Sequence, residues 1–122
     1  MPASVQLLGA LCLLLSLLII TLTFRANSFA APVVKIQKER GHRVATGGPY
    51  RYVRHPMYSG SLFFFIGTAL LLGSWWGLAF APVFALLLAV RIPLEERALR
   101  AGLAGYDDYA ARVRYRLIPR VW

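Results

Sequence analysis

The chain has a single cysteine, Cys12, among 122 residues, so it has no internal disulfide framework to lean on. Cys12 lies inside an apolar run, where a thiol is poorly placed for chemistry and reads as inert packing. Only two histidines occur, His42 and His55, with no cysteine beside either, which makes a poor zinc set; no metal site is expected. No Gly-Lys-Ser/Thr of a phosphate loop is present, and no Gly-x-Gly-x-x-Gly of a dinucleotide fold. Ser59 and Ser61 follow His55, but no acid nearby completes a hydrolase triad. Charge is scarce as well, at 16% of residues, and acids number only five.

What is abundant is hydrocarbon. At 58% hydrophobic, so short a chain cannot hide its apolar residues in a core of its own size. Lipid is the simplest solvent for them. A net charge of +9 would suggest a nucleic-acid partner in a soluble protein. Here the basic residues flank long apolar runs, so membrane lipids with anionic headgroups are the expected partner and nucleic acid is not.

Three apolar stretches organise a single expected domain, residues 1–122. The first, residues 5–23, is uncharged and long enough to span a bilayer. A signal peptide is the alternative, with Phe29-Ala30-Ala31 as its cleavage site. No Lys or Arg precedes Leu7 and the apolar run is long for a signal core, which favours a retained helix. The second and third spans are expected at 56–73 and 75–92, with Gly73-Ser74 as the turn and Trp75 and Trp76 at the interface. Pro56 suits a first helical turn, Pro82 predicts a kink, and Pro93 predicts a bend where the helix leaves the lipid. Gly60 and Gly67, seven apart, share a face that admits a close neighbour. A polar connection, 25–55, carries a candidate irregular hairpin in Val33–Ile36 and Arg43–Thr46. The tail, 93–122, repeats Leu99, Leu103, Tyr106 and Tyr109 at three- and four-residue steps, predicting an amphipathic helix.

All fourteen Lys and Arg fall in two blocks, Arg25 to Arg54 and Arg91 to Arg120. The positive-inside rule places both in the cytosol and the N-terminus outside, giving a multi-pass integral membrane protein. Tyr58 stands 15 residues before Gly73 and Arg91 stands 16 after Trp75, so both reach one membrane depth. His55 and Tyr58 are thus expected to face Arg91 and Glu95 across a cytosolic mouth. Acids beside a cation at a bilayer edge mark a candidate functional site. Anchoring is the competing account: Arg91 snorkels, Glu95 and Glu96 sit in water, and Tyr58 is an interface residue.

The run Gly47-Gly48-Pro49-Tyr50-Arg51-Tyr52-Val53-Arg54-His55-Pro56-Met57-Tyr58-Ser59-Gly60 resembles the signature of the isoprenylcysteine carboxyl methyltransferase family. Glu95-Glu96-Arg97-Ala98-Leu99 resembles that family's second motif. Tyr106-Asp107-Asp108-Tyr109 and Val113–Pro119 resemble its tail. Phospholipid N-methyltransferases share a related pattern. The resemblance implies an all-α membrane methyltransferase that binds S-adenosyl-L-methionine in a cytosolic cap over about three transmembrane helices. It implies donor contacts from Gln37, His42, Arg43, Val44, Ala45, Tyr50, His55, Pro56, Met57, Tyr58 and Glu95. Arg91 would meet a substrate carboxylate, with Tyr58 beside the reacting groups. The substrate would be a lipophilic, isoprenylcysteine-like carboxylate from the bilayer. Amine methylation on a phospholipid or small lipophile is the enzymatic alternative, and a non-catalytic membrane subunit of the same fold is the other. Larger members place more helices before the signature, which leaves two expectations here: a narrower substrate groove, or a site completed by a homodimer.

Overall fold

The computed structural model describes residues 1–27, 46–119, 121 and 122. The candidate hairpin, with Gln37, His42, Arg43, Val44 and Ala45, therefore lies outside the described residues. Among those described the structure is all-helical: α1 (Ala3–Ala26), a 3-10 turn (Gly48–Arg51), α2 (Pro56–Leu71), α3 (Trp75–Ala79), α4 (Ala81–Gly102) and α5 (Tyr106–Arg112).

Helix α1 and the combined α3–α4 unit, Trp75–Gly102, are each long and apolar enough to cross a membrane. Helix α2 is equally apolar but has 16 residues, about 24 Å of rise against a hydrocarbon core of about 30 Å. It stops early because Gly73 takes a left-handed conformation, φ 66°. That conformation lets Ser74 N donate to Ala69 O at 2.9 Å and Gly73 N to Leu70 O at 3.1 Å, closing the helix with a Schellman cap. Ser74 then caps the next helix, its Oγ accepting from Gly77 N at 3.0 Å. The break at Phe80 falls just before Pro82, which sits in the first turn of α4, where a missing N–H costs little.

Helices α1 and α2 pack along their whole length, and the reason lies in small residues. The buried positions of α1 are Gly9, Ser16 and Thr23, seven apart, while its leucines face outward. In lipid a leucine gains nothing by burial against another helix, so close backbone approach supplies the attraction. A Cβ built on Gly9 would stand 2.5 Å from Leu71 N, and one on Gly67 2.8 Å from Leu13 N. Gly60 is as tight, 2.7 Å from Ile20 Cγ1. The neighbour that Gly60 and Gly67 admit is therefore α1.

Helix α2 meets α4 lower down, where Tyr58 shares a cluster with Leu88 and Ile92 of α4 and with Leu117 from beyond α5, with Met57, Leu62 and Phe84 packed around them. Phe65 stacks on Phe84 at 5.3 Å between ring centres. Two features depart from the expected tail. Helix α4 runs through Pro93 to Gly102, so the second motif lies on the same helix as Arg91. The three- and four-residue repeat does not make one helix: Gly105, at φ 84°, breaks it between Leu103 and Tyr106. The amphipathic helix is the short α5, which buries Tyr106 and Tyr109 and exposes Asp107 and Asp108.

Candidate active site

Beyond α5 the chain turns back across the signature as an irregular strap. Arg54 N donates to Tyr115 O at 2.8 Å, and His55 N to Arg116 O at 2.9 Å. Ser59 Oγ donates to Leu117 O at 2.6 Å. The residue before a proline is biased away from helix, and His55 is non-helical, with φ −127° and ψ 62°. Its N–H is thereby left for the strap.

Two polar clusters result, on either side of His55. In the first, Arg91 Nε donates to the Tyr58 hydroxyl at 2.8 Å, and that hydroxyl donates to Glu95 Oε2. Arg91 and Glu95 are one turn apart on α4, so Tyr58 bridges them from α2. In the second, Glu96 Oε1 pairs with His55 Nε2 at 3.0 Å and with Arg54 Nε at 3.3 Å, while Oε2 accepts from Arg116 Nε at 3.1 Å. Glu96 is 3% exposed, and both Arg54 and His55 are buried. Such a carboxylate is tolerable only because cations surround it. The imidazole of His55 stacks on the Tyr58 ring, 5.8 Å between centroids, which joins the clusters.

The expected site residues divide accordingly. Tyr58, Arg91 and Glu95 come together in one hydrogen-bonded set. His55 is near but spends its Nε2 on Glu96. Pro56 opens α2 and is buried; Met57 packs against the Tyr58 cluster. Tyr50 sits in the 3-10 turn, its hydroxyl accepting from Asn27 Nδ2 at 3.0 Å, which ties the end of α1 to the cap. The expected contacts did not include Arg54, Glu96 or Arg116, and only the anchoring account, which put Glu96 in water, is at odds with its burial. The signal available was adjacency, since Arg54 and Glu96 flank His55 and Glu95 directly.

Tyrosines floor the cap. The Tyr109 hydroxyl donates to Tyr50 O at 2.7 Å and lies 3.2 Å from Val53 O. Burial pushes the phenols of Tyr109, Tyr106 and Tyr50 above the usual tyrosine range, with Glu96 adding to the rise at Tyr106. Above about pH 10 the unfolded chain releases phenol protons that the folded cap retains, so unfolding gains. Stability should be level below about pH 10 and fall as pH rises through the folded values. Thermal unfolding between pH 8 and 11 checks this; Tyr109→Phe should flatten the alkaline fall, and an unchanged slope would contradict it.

Residues 5–103 match the phospholipid methyltransferase family. The chain belongs to that family. Curated relatives place it near the isoprenylcysteine branch. It is 40% identical over 83 residues to Arabidopsis thaliana protein-S-isoprenylcysteine O-methyltransferase B, covering 66% of this chain and 42% of the relative. It is 33% identical over 108 residues to the Schizosaccharomyces pombe protein-S-isoprenylcysteine O-methyltransferase, covering 87% and 45%. The fold is similar to that of the eukaryotic intramembrane Ras methyltransferase, isoprenylcysteine carboxyl methyltransferase. That match has a TM-score of 0.81 at 27% identity and covers 96% of this chain and 43% of that structure. The chain thus spans less than half the length of these relatives.

Proposed function

We propose that the protein is an S-adenosyl-L-methionine-dependent methyltransferase that esterifies a carboxylate on an isoprenylcysteine-like lipophilic substrate. The observation that carries this reading is the Arg91–Tyr58–Glu95 set, held where the apolar helices give way to the polar cap. It stands in a chain of a methyltransferase family whose named relatives act on isoprenylcysteine. We place α1, α2 and α3–α4 as three spans of one domain, with both basic blocks and the site on the cytosolic face.

The residues fit such a donor chemically. A carboxylate accepts at about four lone-pair positions, and Tyr58 takes one on Glu95, so capacity for an ammonium remains. The face of Tyr58 suits a cationic centre. Gln37, His42, Arg43, Val44, Ala45 and Tyr50 would complete the hold, with His55, Pro56 and Met57 shaping its floor. When bound, the donor supplies an electrophilic methyl group on a sulfonium.

A substrate carboxylate is already ionised at neutral pH and needs no strong base. The work left to the protein is alignment in a dry site. Arg91 does this with a planar fork of five N–H donors, Nε–H fixing it to Tyr58 while the fork orients the carboxylate. Glu95, through Tyr58, holds Arg91 in place. An amine acceptor would gain nothing from a guanidinium, which sets the amine reading behind.

Glu95→Gln should keep the hydrogen bond to Tyr58 but lose the ionic contact with the donor's ammonium, a cost of about 1.5–3 kcal/mol in donor affinity. Calorimetry with purified protein reads this. Unchanged affinity would remove Glu95 from the donor site.

A further inference from the structure

On α4, at about 100° per residue, Arg91 and Glu95 share one side, whereas Pro93, Arg97 and Arg100 lie on the opposite side. There they line a cavity of about 210 Å³ with Glu96 and Arg116. Its size falls below the roughly 300 Å³ where pockets for whole organic ligands begin, but exceeds many times the roughly 30 Å³ of one water. It suits a small polar group. Three guanidiniums meet one carboxylate there, and that carboxylate is already shared with Arg54 and His55. Among the described residues its lining is electropositive, and the one carboxylate there is already paired.

Two of the guanidiniums can turn to a ligand. Arg97 is exposed at the rim. Among the described residues Arg100 pairs only with Asp107, at 3.6 Å between side chains 48% and 74% exposed, a contact worth little. Arg116 is pinned, stacked over the Trp122 ring at 5.1 Å and bonded to Glu96, so it forms a fixed wall. Pro93 to Arg100 lie about 3–14 Å along the helix beyond Arg91, where the apolar run ends. A bilayer's headgroup layer is about 5–8 Å thick on each side. The cavity opens within that layer at Pro93, while Arg97 and Arg100 stand about 9 and 14 Å beyond Arg91. Helical side chains lean back toward the N-terminus, that is, toward the layer.

We infer that this cavity binds a phosphate-type anion through Arg97 and Arg100, and that an anionic phospholipid headgroup is its natural source. Planar guanidiniums match phosphate oxygens two at a time, which a diffuse basic surface does not. Bound there, the anion fastens α4 to the strap through Arg116, next to the buried Glu96, without entering the Tyr58 side. The inference needs the membrane placement but not the methyl-transfer reading.

The test titrates detergent-solubilised full-length protein with dioctanoyl phosphatidylglycerol, dioctanoyl phosphatidylcholine and inorganic phosphate, read by microscale thermophoresis. Phosphatidylglycerol should bind on the order of tenfold tighter than phosphatidylcholine, whose choline cation opposes the guanidiniums. Arg97→Gln with Arg100→Gln should weaken it by about tenfold or more, while Arg112→Gln with Arg114→Gln, an equal charge loss at exposed positions off the cavity, should leave it within about twofold. Arg97→Lys keeps the charge without the fork and should fall between. Inorganic phosphate binding as tightly as phosphatidylglycerol, and displacing it, would uphold the site and assign it to a soluble phosphate. Equal losses in the two double variants, or none in the first, would overturn it. Far-ultraviolet circular dichroism and melting of each variant separate lost binding from lost fold.

Discussion

Arg91→Lys should lose on the order of a hundredfold in turnover, and Arg91→Ala at least as much, with donor affinity nearly unchanged. The side chain reaches Tyr58 through Nε, an atom lysine lacks, while the rest of the guanidinium is the proposed carboxylate clamp. A lysine ammonium is a point charge on a flexible stem, so it neither fixes itself on the hydroxyl nor grips two oxygens in parallel. Misplacement of reacting groups by about 1 Å costs rates of this order. The alternative, in which Arg91 only snorkels to the headgroups, makes a different forecast. Lysine snorkels about as well, so Arg91→Lys would then turn over like the wild type. A methyl-transfer assay at limiting acceptor separates the two, and full activity in Arg91→Lys would bring the amine-acceptor reading forward.

Glu96→Gln should act on stability before it acts on rate. Removing the charge leaves Arg54 buried without its counter-ion, takes an anionic partner from His55, and reduces the bond to Arg116 from an ion pair to at most a neutral hydrogen bond. Breaking a buried ion cluster on one side costs about 3–5 kcal/mol, because the remaining charge is stranded. The strap depends on the same cluster, since Arg116 carries it back to α4 while its carbonyl holds His55 N. The cap should therefore loosen first. Melting in detergent, with proteolysis of the strap followed beside it, reads this. A melting midpoint within a degree or two of wild type would show that the cluster contributes little. Glu95→Gln, one residue away but facing Tyr58, should melt nearly as the wild type does.

The two clusters were unequally legible in the sequence. Tyr58, Arg91 and Glu95 follow from counting down both arms of a helical hairpin from Gly73, because a regular rise converts residue number into depth. The small-residue stripe at Gly60 and Gly67 was legible as a packing face, though not its partner. Period alone does not say which of two apolar helices approaches. The Arg54–Glu96–Arg116 cluster was not legible, because it depends on a strap that returns 58 residues in sequence to reach Ser59. Irregular backbone has no period, and its hydrogen bonds to Arg54 and His55 leave no mark on composition. The repeat from Leu99 to Tyr109 misled for a related reason. Its spacing is helical, but Gly105 takes a left-handed conformation that ends one helix and lets the next begin at a new angle.

The most direct measurement supplies purified protein with methyl-labelled S-adenosyl-L-methionine and a prenylcysteine analogue, then treats the product with base. A carboxyl methyl ester hydrolyses and releases its label as volatile methanol, whereas an N-methyl group keeps it. The account predicts label on the prenylcysteine analogue, released by base and lost in Arg91→Ala. Label found on lipid extract instead, stable to base, would contradict carboxyl methylation. Label transferred to neither, by protein that melts cooperatively and binds the donor, would contradict catalysis by this chain.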